Sequence, residues 1–197
     1  MNYRTSHQIR VVADRLVDGD PTDVDGIEES RRGTVSVFNG PEPRIVLAAS
    51  TLEESDAIAA WLQERIAEGV PPDEIGVFVR SRGEIERAQH ALSAAGLKST
   101  TPAPGVDAEP GKVVLMPMHL AKGLEFRVVV VAACDEAIVP LQERIESATE
   151  ESDLQEVYNS ERYLLYVACT RARDHLLITA VAPGSEFLDD IQVGRQW

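Results

Sequence analysis

Four runs of apolar residues constrain this chain more than any other feature. Residues 75–79, 112–116, 128–133 and 176–181 are almost continuously apolar and do not alternate with polar ones. Strands that alternate have one wet face, whereas continuous runs belong to strands covered on both faces, the usual state of a parallel sheet. The segments between them have helical periodicity. Ile58, Trp61, Leu62 and Ile66 recur at helical spacing after Thr51 and Glu54, which have capping-box spacing; Ile85, Ala88, Leu92 and Ala95 do the same after Ser81 and Glu84. Gly69 and Gly96 are the expected stops. Two short strands, 34–38 and 44–49, precede the first helix, and a further helix at about 160–172 precedes the last strand. Strands alternating with helices define an α/β domain with a mostly parallel sheet and helices on both faces. The acid-rich stretch 142–161, with Arg144 as its one arginine, reads as an exposed connection.

Composition narrows the function. At 197 residues, with 44% hydrophobic and 26% charged, the chain fits one domain or one with a small appendage. No signal-peptide core and no bilayer-length apolar run is present, so a soluble protein with no membrane partner is expected. Cys134 and Cys169 lie in apolar stretches without paired spacing, which fits buried thiols in a reducing cytoplasm. The net charge of −14 excludes a surface that binds nucleic acid by overall basicity. Any such contact has to come from a few donors in a cleft or from another domain.

The stretch MHLAKGLEFRVVVV places His119, Lys122 and Glu125 around Gly123, between two apolar runs. Ligands of parallel sheets gather beyond the carboxyl ends of strands, and this turn follows such an end. Gly123 allows close backbone approach, Lys122 offers a point charge, and Glu125 is an acceptor suited to a ribose hydroxyl. The alternative is a solvated Lys122–Glu125 pair with His119 capping a backbone group. Spacing alone leaves both open.

Four motifs in one order add to that reading. HLAKGLEF resembles motif V of the UvrD/Rep group of superfamily one DNA helicases. NYRTS, at 2–6, resembles the NYR motif near the start of their second motor domain; IGVFVRSRGEIE, at 75–86, resembles motif IV; ERYLLYVACTRARDHLLI, at 161–178, resembles motif VI. The resemblance implies a RecA-like domain of the P-loop NTPase type without its own P-loop, over residues 34–183. Residues 1–33 would be an N-terminal helix and polar connection of the same domain, and 184–197 a C-terminal tail.

It implies roles as well. Arg171 would be the arginine finger and Arg4 a second γ-phosphate contact. Lys122, Gly123 and Glu125 would face the nucleotide, while His119 and Arg80 would touch the phosphates of single-stranded DNA. ATP and Mg²⁺ would be held mainly by a Walker A-containing N-terminal motor domain, because this sequence has no GxxxxGK[ST] loop and no Walker B strand. No metal ligands are expected in this chain, and alone it is expected to be inactive as an ATPase. Movement would be 3′ to 5′. Pro117 stands where the family has a threonine and offers neither a hydroxyl nor an N–H. The extra subdomain that larger members insert after the second helix is absent. Met1 directly before Asn2 suggests an artificial boundary or a truncated reading frame. The competing reading is a stand-alone regulatory or partner-binding module that kept the fold. Nucleophilic catalysis by Cys169 with His175 is a third and lacks a group to orient the histidine.

Overall fold

The computed structural model describes residues 5–17, 39–101 and 109–192. The strand expected at 34–38 and Arg4 lie outside these residues.

The described elements are α1 (His7–Asp14), β1 (Arg44–Ala48), α2 (Thr51–Ala67), β2 (Ile75–Val79), α3 (Ile85–Ala94), β3 (Ser99–Thr100), β4 (Val113–Pro117), β5 (Phe126–Val131), α4 (Gln142–Glu146), α5 (Glu151–Cys169), β6 (Ala172–Val181) and α6 (Phe187–Gln192). The strands form one parallel sheet in the order β1-β6-β5-β2-β4-β3. Strand β3, two residues long, was not anticipated from sequence; Ser99 and Thr100 carry no apolar signal.

Period two divides the apolar runs between two cores. Val128 and Val130, with Ile75, Val77 and Leu115, pack against Ile58 and Leu62 of α2 and Leu92 of α3. Val129 and Val131, with Phe78, Val114 and Met116, face Ile9 of α1, Leu165 of α5 and Phe187 of α6. Both faces are therefore covered, which is why these strands are apolar throughout. Gly76 is small because a Cβ there would lie 2.7 Å from the Phe126 ring.

Several local expectations are corrected. Ser50, not Thr51, caps α2: its Oγ accepts from the Glu53 amide at 3.2 Å, and Glu53 in turn accepts from the Ala49 amide at 3.1 Å. That frees Glu54 for the interior, where it is buried. Ser81 accepts from the Gly83 amide and opens a single 3-10 turn before α3. The stretch 142–161 is not a connection but α4 and the first half of α5. Its acids read as uniformly solvated only because the partners of the buried one, Glu161, lie far away in sequence. Strand β6 begins at Ala172, since the polar Arg173, Asp174 and His175 are still paired alongside β5 past an irregularity at Phe126–Val128. The stretch read as a tail contains α6, whose Phe187, Leu188 and Ile191 are buried in the core.

The connection between β4 and β5 has no helix of ordinary length. Both strands flank β2 and run parallel to it, so residues 118–125 must carry the chain from the carboxyl end of β4 back to the amino end of β5. One 3-10 turn, Met118–Leu120, begins that path. Eight residues reach about 26 Å when extended, against about 17 Å for a strand of this length. Met118 and Ala121 anchor the strap in the core, and His119, Lys122, Gly123 and Glu125 remain on its outer, exposed side.

Candidate functional site

The strap separates residues that the sequence reading had put at one place. His119 stays at the carboxyl end of β4, the same end of the sheet at which Arg80 follows β2, because Val79 and Pro117 are in register. Glu125 is delivered to the opposite end. There the Phe126 amide donates to the Arg171 carbonyl at 3.0 Å, and Phe126 pairs with Ala172. The nucleotide-type candidates Lys122, Gly123, Glu125 and Arg171 are thus drawn toward the amino ends of β5 and β6, while the DNA-type candidates His119 and Arg80 sit at the other end.

At the amino ends, Gly123 has φ +86° and nothing within 4 Å of where a Cβ would stand. Such a φ strains any residue but glycine. Arg171, half-buried after the last turn of α5, donates through Nε to the Val167 carbonyl at 3.0 Å. Its Nη1 donates to the Leu124 carbonyl at 3.3 Å and its Nη2 to Thr170 Oγ1 at 3.3 Å. The guanidinium therefore closes the helix C-terminus, where a cation is also favoured by the dipole. The N-terminal segment reaches the same place: Thr5 Oγ1 donates to the Thr170 carbonyl at 3.2 Å and the Ser6 amide to the Arg173 carbonyl at 3.0 Å. Arg173 is exposed and bonded to Asp174. That bond holds its guanidinium above the ordinary value against a smaller desolvation, and the Glu125 carboxylate is among the charges that add to the rise.

At the carboxyl end the structure departs from expectation. Arg80 is only 7% exposed. Its Nε and Nη2 each lie 2.5 Å from a Glu161 carboxylate oxygen. Glu161 also accepts from Arg144 Nη1 at 2.8 Å and from the Leu141 amide at 3.2 Å. Burial is the largest single influence and works to raise this carboxyl, but the hydrogen bonds and charge of Arg80, together with the bonds from the Leu141 amide and Arg144, outweigh it and hold it below the usual carboxylate range. The buried cluster of Glu161, Arg80 and Arg144 was not anticipated from the sequence pattern.

A second buried network was also not legible. Glu54 accepts from Thr179 Oγ1 at 2.6 Å, from the Ala133 amide at 3.1 Å and from Arg87 Nε at 2.6 Å, and Arg87 makes a two-pronged bond to Asp135. Ala133, with φ 58°, is a non-glycine residue in the left-handed region, and the Glu54 bond to its amide helps to hold it there.

The cysteine reading fails on geometry. Cys169 is buried with its thiol pushed up to about 12 by desolvation, and His175 is turned to Arg65, Nη1 to Nδ1 at 3.1 Å. Among the described residues no group of three or more His, Cys, Asp or Glu could hold a metal ion, and no helix is long and apolar enough to cross a membrane.

The described residues form an α/β domain, one all-parallel sheet with helices on both faces. Residues 89–182 match the model of the UvrD-like helicase C-terminal domain. It is 41% identical over 69 residues to the ATP-dependent DNA helicase UvrD1 of Mycobacterium tuberculosis, covering 35% of this chain and 8% of that protein. It is 44% identical over 73 residues to the ATP-dependent DNA helicase PcrA of Staphylococcus aureus, covering 37% of this chain and 9% of that one. The matches therefore span less than a tenth of these relatives. The C-terminal domain of a possible DNA helicase from Lactobacillus plantarum has the same fold, with a TM-score of 0.66 at 23% identity over 98% of this chain and 96% of that one.

Proposed function

We propose that this chain is the second motor domain of an ATP-dependent DNA helicase or translocase, working in the cytoplasm against a Walker A-containing N-terminal motor domain. The observation that carries the reading is the convergence at the amino ends of β5 and β6. The exposed Gly123 and Glu125 and the Arg171 guanidinium meet there with Thr5, the residue that follows Arg4.

These groups suit a nucleoside triphosphate. A backbone without a Cβ admits phosphate closely, Lys122 and Arg171 are cationic, and Glu125 is an acceptor for a ribose hydroxyl. ATP supplies a phosphoryl group whose transfer spreads charge over its oxygens. In this reading Arg171 and Arg4 meet that charge as fixed guanidinium donors. Mg²⁺ is assigned to the partner domain in this reading. His119, exposed at the other end of the strap, is assigned to a phosphate of single-stranded DNA. Arg80, buried against Glu161, is not part of that surface in our reading.

The test joins this domain to its Walker A partner and compares Arg171→Ala with Arg173→Ala. Arg171→Ala should leave folding and ATP binding largely intact and reduce turnover by something on the order of 10³, the lower end for arginine fingers. Equal hydrolysis by the two variants would leave Arg171 as a helix cap and remove the chemical basis of the motor reading. The rival reading, a regulatory module, predicts no turnover with any Walker A partner and no effect of either substitution on one.

A further inference from the structure

We infer that Glu161 is a positioning residue that fixes α5 along its axis and thereby sets where Arg171 is presented, and that Arg80 serves this pin and not a nucleic-acid surface. The inference rests on the motor reading for its catalytic consequence but not for its structural content.

Three parts of the fold meet at one carboxylate. Arg80 leaves the end of β2, Arg144 belongs to α4, and the Leu141 amide immediately precedes α4; together they give Glu161 four directional hydrogen bonds. The Glu161 side chain is fully buried and that of Arg80 nearly so, and their two-pronged geometry fixes orientation as well as distance. Arg144 is half-exposed and reaches the same carboxylate from outside, with Nη2 3.3 Å from Ser160 Oγ. A buried ion pair is a weak source of stability, because desolvation offsets most of the attraction. Apolar side chains would fill this space about as well, but they would let the helix slide. A carboxylate held by four hydrogen bonds from three donor groups does not.

The helix transmits that constraint. From Glu161, α5 continues to Cys169, and at about 1.5 Å per residue Arg171 lies roughly 15 Å further along. Arg171 is bonded to the last turn of that helix, through the Val167 carbonyl, and to the strap, through Leu124. An axial shift of α5 at Glu161 therefore arrives at the Arg171 guanidinium almost undiminished. Beyond Glu161 the buried residues of the helix are Leu165, Ala168 and Cys169, apolar contacts that do not specify axial position.

The experiment has two arms. In the 197-residue chain, the Arg171 Nε–H is followed by ¹⁵N–¹H spectroscopy in Arg144→Ala, Glu161→Gln and the double variant Arg80→Met/Glu161→Met. The double variant removes both charges, so it retains packing if Glu161→Gln fails to fold, and Arg144→Ala removes one bond from the exposed side. The resonance should move and its exchange with solvent should quicken in each folded variant, least in Arg144→Ala. An unchanged Arg171 signal in folded variants would overturn the inference.

In the domain joined to its Walker A partner, the double variant should lower kcat on the order of 10²-fold, the cost of a misplacement of about 1 Å. Oligonucleotide affinity and its salt dependence should be unchanged. A fall in affinity across all sequences, with the salt slope reduced by about 1, is the signature of a lost phosphate contact; it would assign Arg80 to DNA and end the proposal. If the unmodified joined protein hydrolyses no ATP, the motor reading fails while the spectroscopic arm still decides the role of Glu161.

Discussion

Arg171 and Leu124 are joined side chain to backbone: the guanidinium Nη1 donates to the Leu124 carbonyl at 3.3 Å, tying the end of α5 to the strap that crosses the sheet. The residue proposed to meet the transferring phosphoryl group is therefore mechanically attached to the segment that carries Gly123 and Glu125. A substitution on the strap should register at Arg171 without touching it.

Gly123→Ala is the simplest such substitution. No atom lies within 4 Å of the new Cβ, so the cost comes from the backbone at φ +86° alone. Denaturant unfolding should show a loss of about 1–2 kcal/mol, the usual penalty for an L-residue in that region, with an unchanged m-value. Full retention of stability would mean that the strap relaxes to a negative φ.

Acid should loosen the Glu161 pin. Its carboxyl is held low in the folded protein, so the unfolded chain binds the proton more readily. The stabilisation is fully present above the unfolded value of about 4.3 and is lost as pH falls through the lower folded value. Melting temperatures measured from neutral pH down into that window should fall. The decline should be shallower in Arg80→Met/Glu161→Met, and an identical decline in that variant would show that other carboxylates govern it.

His175 acts at a higher pH. Burial first, and then the Arg65 guanidinium, lower its value below that of a solvated histidine, outweighing Glu68 and Asp174, which raise it. The neutral ring is favoured on folding, so this contribution is present above about 6.5 and is lost as pH falls through the lowered folded value. His175→Gln should flatten the stability profile in that window while leaving the profile near pH 8 without slope.

Helix α2 provides a control for core against surface. Leu62 is 0% exposed and Leu52 70%. Leu62→Ala should cost about 2–5 kcal/mol; Leu52→Ala should stay within about 0.5 kcal/mol. A large effect of Leu52→Ala on the isolated chain would be inconsistent with its exposed position.

On its own the chain should hydrolyse no ATP and should bind oligonucleotides weakly, with strong salt dependence, because few local cations work against a net charge of −14. A dissociation constant below about 1 μM at physiological salt would require a basic surface that the sequence does not contain.

The sheet was legible because Val128 to Val131 and the runs like it report burial on two faces directly, and both cores are built from those residues. The roles of Glu54 and Glu161 were not. A glutamate near a helix start reads locally as a cap, and one in an acid-rich helix reads as solvated; what buries them is Arg87 and Arg80, at separations of 33 and 81 residues. Strand order was equally hidden. Taking 118–125 as a turn at one end of the sheet was reasonable for adjacent strands and fails because β2 lies between β4 and β5.

The strap also dictates where this polypeptide can be cut. The junction 69–71, between α2 and the 3-10 turn before β2, contains the exposed Gly69 and lies outside the elements that carry the candidate site. New chain ends introduced there leave 118–125 whole. Ends introduced between Ala121 and Glu125 leave every candidate side chain present and the sheet paired, yet divide the covalent line from His119 to Glu125. A permuted chain opened at the second position is therefore a means of separating the two ends of the molecule while subtracting no chemical group from either.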